Sequence, residues 1–594
     1  MLLLYFGAAL VMSLGLTPAC RTAAYRFGLT AKPATDRWHQ KATAASGGVA
    51  IAVPTLLLGL TIRPLGDMWQ LLACGMAIAC FGFLDDLLSM KPSTKLIVQI
   101  AVASTLLFFG VRLEWTQSLI GDAMLTLFWI VGLTNAFNLL DNMDGLCAGI
   151  ALVAGSFLLF GVAGGGDVTP AALYLVTLLG STAGFLVYNF HLASIFMGDT
   201  GSLFLGLNLA ALTLTAKPHG AGKSGVLSVM AAPVLLLLVP IFDTTLVTAV
   251  RVLAGRKPSQ GGRDHTSHRL VAIGLSQRTA VAILWMLAAA GGGIALSFQM
   301  LDASWGAIFT VGFLLAMIIF AVYLARVRVY EDADFARLRE GSLTPVVVDF
   351  MYKQRVAEVL LDLCLIPLAY YTAYRLRFEG AVLAENYPYF LKSLPIVLTA
   401  QLLALFAVGG YRGDWRYFGM MDAVAFGKGV IFGSVASQLV ILYLYHFESY
   451  SRAVFVIYAA LLMLMLSGSR ASFRLLSEFV HHRRVGGQRC VVYGTGSASL
   501  ATIREAFGDH TPLRIVGFVD DDLQRRRLRV SGYSVLGDFN TLLAMIEKDE
   551  LDCVILNTRI IDVERLTCLE AACQQRDVDL LRLQVHVKPF IAAS

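Results

Sequence analysis

Three apolar runs in this sequence border on acidic residues. GFLDDLL closes one with Asp85 and Asp86, NAFNLLDNMDGLCAG carries Asp141 and Asp144, and IFMGDTGSLFLG opens another with Asp199. In the second stretch Asn135, Asn138, Asp141 and Asp144 recur at every third residue. Continued as helix, that spacing sets their side chains roughly along one side. Carboxylates at the mouth of an apolar span are costly unless they face water, a partner or a cation. Three such stretches point to one shared site. A polar segment, GRDHTSHRL, adds Asp264, His265, His268 and Arg269. Carboxylates beside amides, with no cysteine nearby in a metal-type spacing, suit a hard cation: Mg²⁺, with Mn²⁺ as the alternative. Histidine and arginine beside such a cation suit a diphosphate, whose charge needs neutralising in the transition state. At a membrane–water boundary this chemistry predicts phosphoryl transfer between a water-soluble diphosphate and a lipid phosphate.

The elements that position these residues are apolar spans. Of 594 residues 57% are hydrophobic and 15% charged, which excludes an ordinary soluble protein. Fifteen apolar segments are expected, from residues 1–18 to 453–469, the first an uncleaved span with its N-terminus outside. Alternate loops carry the basic residues, as in 19–46, 85–95, 251–278 and 326–355. The positive-inside rule then places all three acidic stretches and the histidine segment on the cytoplasmic face. Asp243 lies two turns inside a span, before Arg251, and reads either as a sugar contact or as that arginine's ion-pair partner. The nine cysteines have no metal-type spacing and imply no disulfide framework. Four regions follow: 1–325 with about eleven spans, a cytoplasmic linker at 326–355, a four-span module at 356–470, and a soluble part at 486–594. The expected fold is thus a multi-pass α-helical membrane protein of about fifteen spans with a C-terminal cytoplasmic α/β, Rossmann-like domain. In that domain GTGSAS follows an apolar strand, so Gly494 and Gly496 would open a nucleotide-holding helix; Ser499 replaces the third glycine of the usual fingerprint.

Residues 1–325 resemble the polyprenyl-phosphate sugar-1-phosphate transferases, the superfamily that includes phospho-N-acetylmuramoyl-pentapeptide transferase. The resemblance rests on GFLDDLLSMKPSTKLIVQ, NAFNLLDNMDGLCAG, GFLVYNFHLASIFMGDTGSLFLG, PIFDTTL and GRDHTSHRL, five motifs in order. PIFD with the DH..HRL segment is similar to the N-acetylglucosamine branch. The resemblance implies that Asp199 is the Mg²⁺ ligand and that Asp85 and Asp86 serve catalysis or lipid-phosphate activation. It implies that Asn138, Asp141 and Asp144 belong to the active centre and to nucleotide recognition, that Asn189 and Phe196 contact the uridine, and that Lys95 lies near the phosphates. His265, His268 and Arg269 would contact the diphosphate or sugar. The implied reaction transfers N-acetylglucosamine-1-phosphate from a UDP-sugar to polyprenyl (undecaprenyl) phosphate in the bilayer of a bacterial inner membrane. Transfer of a muramoyl-pentapeptide, or a transporter or flippase, are the alternatives. No nucleic-acid partner is expected, and a homodimer is left open.

The remainder resembles the N-terminal half of membrane-anchored polysaccharide-biosynthesis nucleoside-diphosphate-sugar epimerases and dehydratases. The matching stretches are DLCLIPLAYYTAYRLRFEG, GGYRGDWRYFGMMD, SRAVFVIYAALLMLMLSGSR, QRCVVYGTGSASLATIRE and LRIVGFVDDD. No Tyr-xxx-Lys pair occurs in 486–594, so this part is expected to sense or dock rather than to catalyse epimerisation.

Overall fold

A computed structural model describes the chain except residues 29, 32–42, 65, 67, 89, 117, 164–167, 216–225, 254–255, 257–261, 263, 301–302, 326, 328–353, 411–418, 448–449, 484–487, 495–512, 523–528, 531–532, 558–561 and 583–594. It divides into two compact units, Met1–Ser477 and Glu478–Ser594.

The first unit is helical. In chain order it holds α1 (Leu2–Phe27), a short hairpin β1 (Thr30–Ala31) and β2 (Thr43–Ala44), α2 (Val49–Gly59), α3 (Met68–Leu88), α4 (Pro92–Phe108), α5 (Leu119–Leu140), α6 (Leu146–Ala163), α7 (Pro170–Asn189) and α8 (Gly198–Thr215). There follow α9 (Val226–Leu236), α10 (Leu238–Leu253), α11 (Thr266–Ala272), α12 (Gln277–Met300), α13 (Ala303–Ala325), α14 (Gln354–Arg377), α15 (Gly380–Ala407), α16 (Met420–Tyr445) and α17 (Arg452–Arg483), the last running into the second unit. Among the described residues nine helices are long and apolar enough to cross a membrane. The helices start where local chemistry allows. Pro92 opens α4, where its missing N–H costs nothing. Ser118 and Thr169 cap α5 and α7 by accepting from Gly121 N and Ala172 N. The apolar run expected as one span at 225–250 is two helices, α9 and α10, parted at Leu237. Pro233 lies one turn before that break and cannot donate to the helix ladder.

α7 and α8 are almost wholly buried, so they form the middle of the bundle, against α1, α3 and α5. Small residues let the backbones approach: a Cβ on Gly48 would lie 2.0 Å from Gly201 N, and one on Gly82 2.6 Å from Asp199 O. A second core joins Ile308 and Leu315 of α13 to α14–α17 through Tyr370, Tyr374, Phe390, Phe455 and Tyr458.

The second unit holds β3 (Gln488–Tyr493), β4 (Leu513–Val519), β5 (Arg529–Val530), β6 (Tyr533–Gly537), α18 (Phe539–Glu547), β7 (Cys553–Leu556), α19 (Val563–Gln575) and β8 (Asp579–Arg582). Its sheet runs β5-β6-β4-β3-β7-β8, parallel except where β5 meets β6. Alternate residues feed opposite faces: Val491 and Val554 pack under α18 and α19, while Cys490, Val492, Cys553 and Ile555 fill the other side. Gly494 follows β3 at φ 96, a conformation open to glycine. Gly496 lies outside the described residues, as does most of the expected linker at 326–355.

Candidate active site

The acidic stretches meet at one end of the helical unit. That end gathers the last turn of α3, the first turns of α4 and α8, the turn after α5, and the segment leading into α11.

Lys95 and Asp199 are central. Lys95, in the first turn of α4, reaches Asp85 of α3 and donates to Asp199 Oδ2 at 2.5 Å. Asn138 donates to Asp199 Oδ1 at 2.8 Å and to Ser202 Oγ at 3.0 Å. Four helices therefore supply one polar cluster. About one turn from Lys95 and Asn138 along their own helices, an amide pair joins α4 to α5: Asn135 donates to Gln99 Oε1 at 2.5 Å, and Gln99 returns a bond at 3.3 Å. Asp85 is buried and also accepts from Met90 N at 2.7 Å, which fixes the turn between α3 and α4.

The adjacent carboxylates Asp85 and Asp86 do different things. Asp86 turns to the start of α8. Its oxygens accept from Asp199 N at 2.8 Å, Thr200 N at 3.2 Å and Thr200 Oγ1 at 2.6 Å. It thus supplies a cap from another helix, satisfying N–H groups that α8 cannot pair itself. Gly198 makes this approach possible: it sits at φ 70, and a Cβ there would lie 2.7 Å from both Asp86 oxygens. Asp86, expected to share Asp85's role, thus makes contacts of its own at the start of α8, apart from the Lys95 pairing of Asp85.

The stretch after α5 also differs from the expected continuous helix. α5 stops at Leu140, Asp141 is its C-cap, and a turn through Gly145 at φ 71 leads into α6. The four polar residues therefore diverge. Asn135 and Asn138 stay on the helix, Asp141 sits at its C-cap, and Asp144 Oδ2 accepts from Ala193 N at 3.0 Å; between the last two, Asn142 Oδ1 accepts from Ser267 Oγ at 2.7 Å. Burial, then the Asp199 and Asp86 carboxylates, push the Asp141 carboxyl up to about 7.

Asn189, expected against a uridine, has both ends of its amide committed. It accepts from Gly145 N at 3.1 Å and donates to Ile195 O at 3.0 Å, clamping two loops together. Phe196 is half-buried and held by its backbone, with its N donating to Ala44 O at 2.8 Å and its O accepting from Gly47 N at 2.9 Å.

The histidine segment is tied to the turn after α5 by the Ser267–Asn142 bond. His265 and His268 are buried with ring centroids 6.1 Å apart. Arg269, expected to face the diphosphate or sugar, is fully buried and donates to the carbonyls of Asp264, Leu324 and Val327 at 2.8, 2.9 and 3.1 Å. It anchors α11 to α13. Arg251 makes a bidentate pair with Asp264 at 2.7 and 2.6 Å, and Asp243 goes instead to His265 and Thr266. Asp264 stands out in the sequence only as a charge in GRDHTSHRL, and nothing there names its partner.

Among the described residues no three His, Cys, Asp or Glu side chains converge as a metal site by themselves. Asp85 and Asp199 converge as a pair, on Lys95. A pair of hard oxygen donors fits the way Mg²⁺ is usually held, through one or two carboxylates with substrate phosphates completing its shell.

Comparison with known proteins shows the family of the helical part. The glycosyl transferase family 4 model matches residues 68–217, which contain Asp85, Asp86, Lys95, Asn138, Asp141, Asp144 and Asp199. A model described as a CoA-binding domain matches residues 407–581. A probable undecaprenyl-phosphate N-acetylglucosaminyl 1-phosphate transferase of Bacillus subtilis is 35% identical over 293 residues, 48% of this chain and 80% of that relative. A decaprenyl-phosphate N-acetylglucosaminephosphotransferase of Mycolicibacterium smegmatis is 35% identical over 45% of this chain and 74% of its own length. A phospho-N-acetylmuramoyl-pentapeptide-transferase of a Geobacillus strain is 32% identical, over 32% of this chain and 67% of that protein. With relatives at this identity spanned over most of their length, the chain belongs to glycosyl transferase family 4, among the polyprenyl-phosphate N-acetylglucosamine-1-phosphate transferases.

Proposed function

We propose that this protein transfers N-acetylglucosamine-1-phosphate from UDP-N-acetylglucosamine to polyprenyl phosphate, releasing UMP and starting a lipid-linked polysaccharide. The observation that carries the reading is the convergence of Asp85, Lys95, Asn138 and Asp199 from four helices at one end of the bundle. A lipid oxygen attacks the sugar-bearing phosphorus; a P–O bond forms to the lipid phosphate and the P–O bond to UMP breaks. Asp199, with Asp85 beside it, would hold Mg²⁺, which when bound would supply charge neutralisation for the diphosphate. Lys95 is placed to follow that charge as it moves onto UMP. Asp85 is the candidate acceptor of a proton from the lipid phosphate, and Asp141, with its raised pKa, is a second. Asp86 and Asn189 act by position: one fixes the start of α8, the other the loops around Phe196, which we assign to the base. His265 and His268 face the sugar-phosphate end, with Arg269 holding their loop.

The finer architecture belongs to the same proposal. About fifteen spans with the N-terminus outside put the site and residues 486–594 in the cytoplasm of a bacterium. The second unit then serves as a Rossmann-like nucleotide sensor or docking domain, with Gly494 at its phosphate turn. A transporter would hold its acids near mid-bilayer; here Asp85, Asp141 and Asp199 lie at helix ends.

The test is UMP release by purified protein given UDP-N-acetylglucosamine, polyprenyl phosphate and Mg²⁺. Release that disappears in Asp199→Ala supports the reading. No release with any UDP-N-acetylhexosamine refutes it.

A further inference from the structure

Two buried charges on α10 grip three consecutive residues of the histidine segment. Arg251 takes Asp264. Asp243, one carboxylate, takes the next two: Oδ1 accepts from Thr266 N at 2.6 Å, and Oδ2 lies 2.8 Å from His265 Nδ1. The side chains of both Asp243 and His265 are nearly inaccessible, at 2% and 7% exposed. A carboxylate is costly at such a place, and its charge is not used on the arginine two turns along its own helix. Its two oxygens instead fix the backbone at the start of α11 and the imidazole of the residue before it.

That geometry has a chemical consequence. A carboxylate accepting at Nδ1 makes that nitrogen the proton-bearing one, leaves Nε2 as the working atom, and holds the ring's orientation. The segment that carries the ring is tied to the turn that holds Asp141 and Asp144, because Ser267, two residues on, donates to Asn142 in that turn. We infer that Asp243 is a positioning residue that acts through His265, setting which nitrogen of that ring meets the substrate. This inference rests on the proposed transferase function.

The experiment is a double-mutant cycle on the full-length protein in detergent, read as UMP release. The variants are Asp243→Asn, His265→Ala and the two combined. Asparagine keeps an oxygen for Thr266 N but no longer offers the ring a carboxylate. Asp243→Asn is expected to lower kcat/KM by about 10- to 100-fold, on the scale set by losing a partner that orients a metal-bound imidazole. On the His265→Ala background the same change is expected to cost less than about 2-fold, because its only route to the reaction is gone. A purely structural Asp243 would misplace Ser267 and His268 with or without the ring, so its loss would multiply with that of His265. Multiplying losses therefore overturn the inference. If Asp243→Asn fails to fold, Asp243→Glu carries the same comparison, since it keeps the charge and shifts the ring. An inactive wild type overturns the transferase reading itself, whereas an active wild type with independent losses overturns only the role given to Asp243.

Discussion

Replacing Asp86 with alanine separates capping from chemistry. The side chain accepts three hydrogen bonds at the start of α8, two of them from backbone N–H groups at the positive end of the helix dipole. Loss of a single helix cap costs about 0.5–2 kcal/mol. Hydrogen bonds to a charged group contribute about 1.5–3 kcal/mol each when buried. Asp86 is half-buried, so water reclaims part of this, and the net cost of Asp86→Ala is about 3 kcal/mol. The same change frees the N-terminus of α8, where Asp199 sits, so UMP release should fall as well. The assay is thermal unfolding in detergent, read as a midpoint, alongside UMP release. Asp86→Ala should melt several degrees below wild type and lose activity. Asp85→Ala, which removes a partner of Lys95 but leaves the three bonds Asp86 accepts at the start of α8, should lose activity with a smaller loss of stability. Gly198→Ala should resemble Asp86→Ala, because its Cβ would enter the same carboxylate and the residue would be held at φ 70. If Asp86→Ala melts with wild type yet is as inactive as Asp199→Ala, Asp86 acts in the chemistry and the capping argument fails.

Other predictions concern charge. Chelation of the divalent cation should abolish UMP release. Lys95→Met should also be inactive, yet bind Mn²⁺ more tightly than wild type in spin-resonance titrations without substrate, because the lysine occupies the space between Asp85 and Asp199; weaker binding would count against that competition. Asp362 and Arg470 form a bidentate pair at 2.7 Å, both fully buried between α14 and α17. Asp362→Leu should lower the melting midpoint sharply, by roughly 3–5 kcal/mol of stability, and adding Arg470→Leu should recover much of it. In the second unit, hydrogen bonds from the Arg489 side chain and backbone hold the Asp552 carboxyl down to about 2. A depressed carboxyl contributes stability that is complete above its unfolded value near 4 and fades as pH falls toward about 2. Amide exchange in β3 and β7 should therefore accelerate over that window in wild type, and much less in Asp552→Asn.

The sequence by itself determined the class of protein and offered candidates for the site. Long apolar runs can only be helices in a bilayer, because backbone groups there must be satisfied internally. Acids bordering those runs had to face something polar, and hard oxygen donors without thiolates narrowed what that was. What the spacing could not decide was the direction of each side chain. Asp85 and Asp86 are neighbours in the chain, but a 100° step around a helix sends one to Lys95 and the other to the N-terminus of α8. Asn135 to Asp144 kept a perfect three-residue spacing, yet the helix ended at Leu140 and a glycine-containing turn sent Asp144 to Ala193. Arg269 lay in a recognisable motif, and its side chain donates to three carbonyls of its own protein. Asp243 and Arg251 share a helix and were natural partners on paper. Each found a different partner in the histidine segment, because long-range packing, which local spacing does not encode, brought that segment within reach of both.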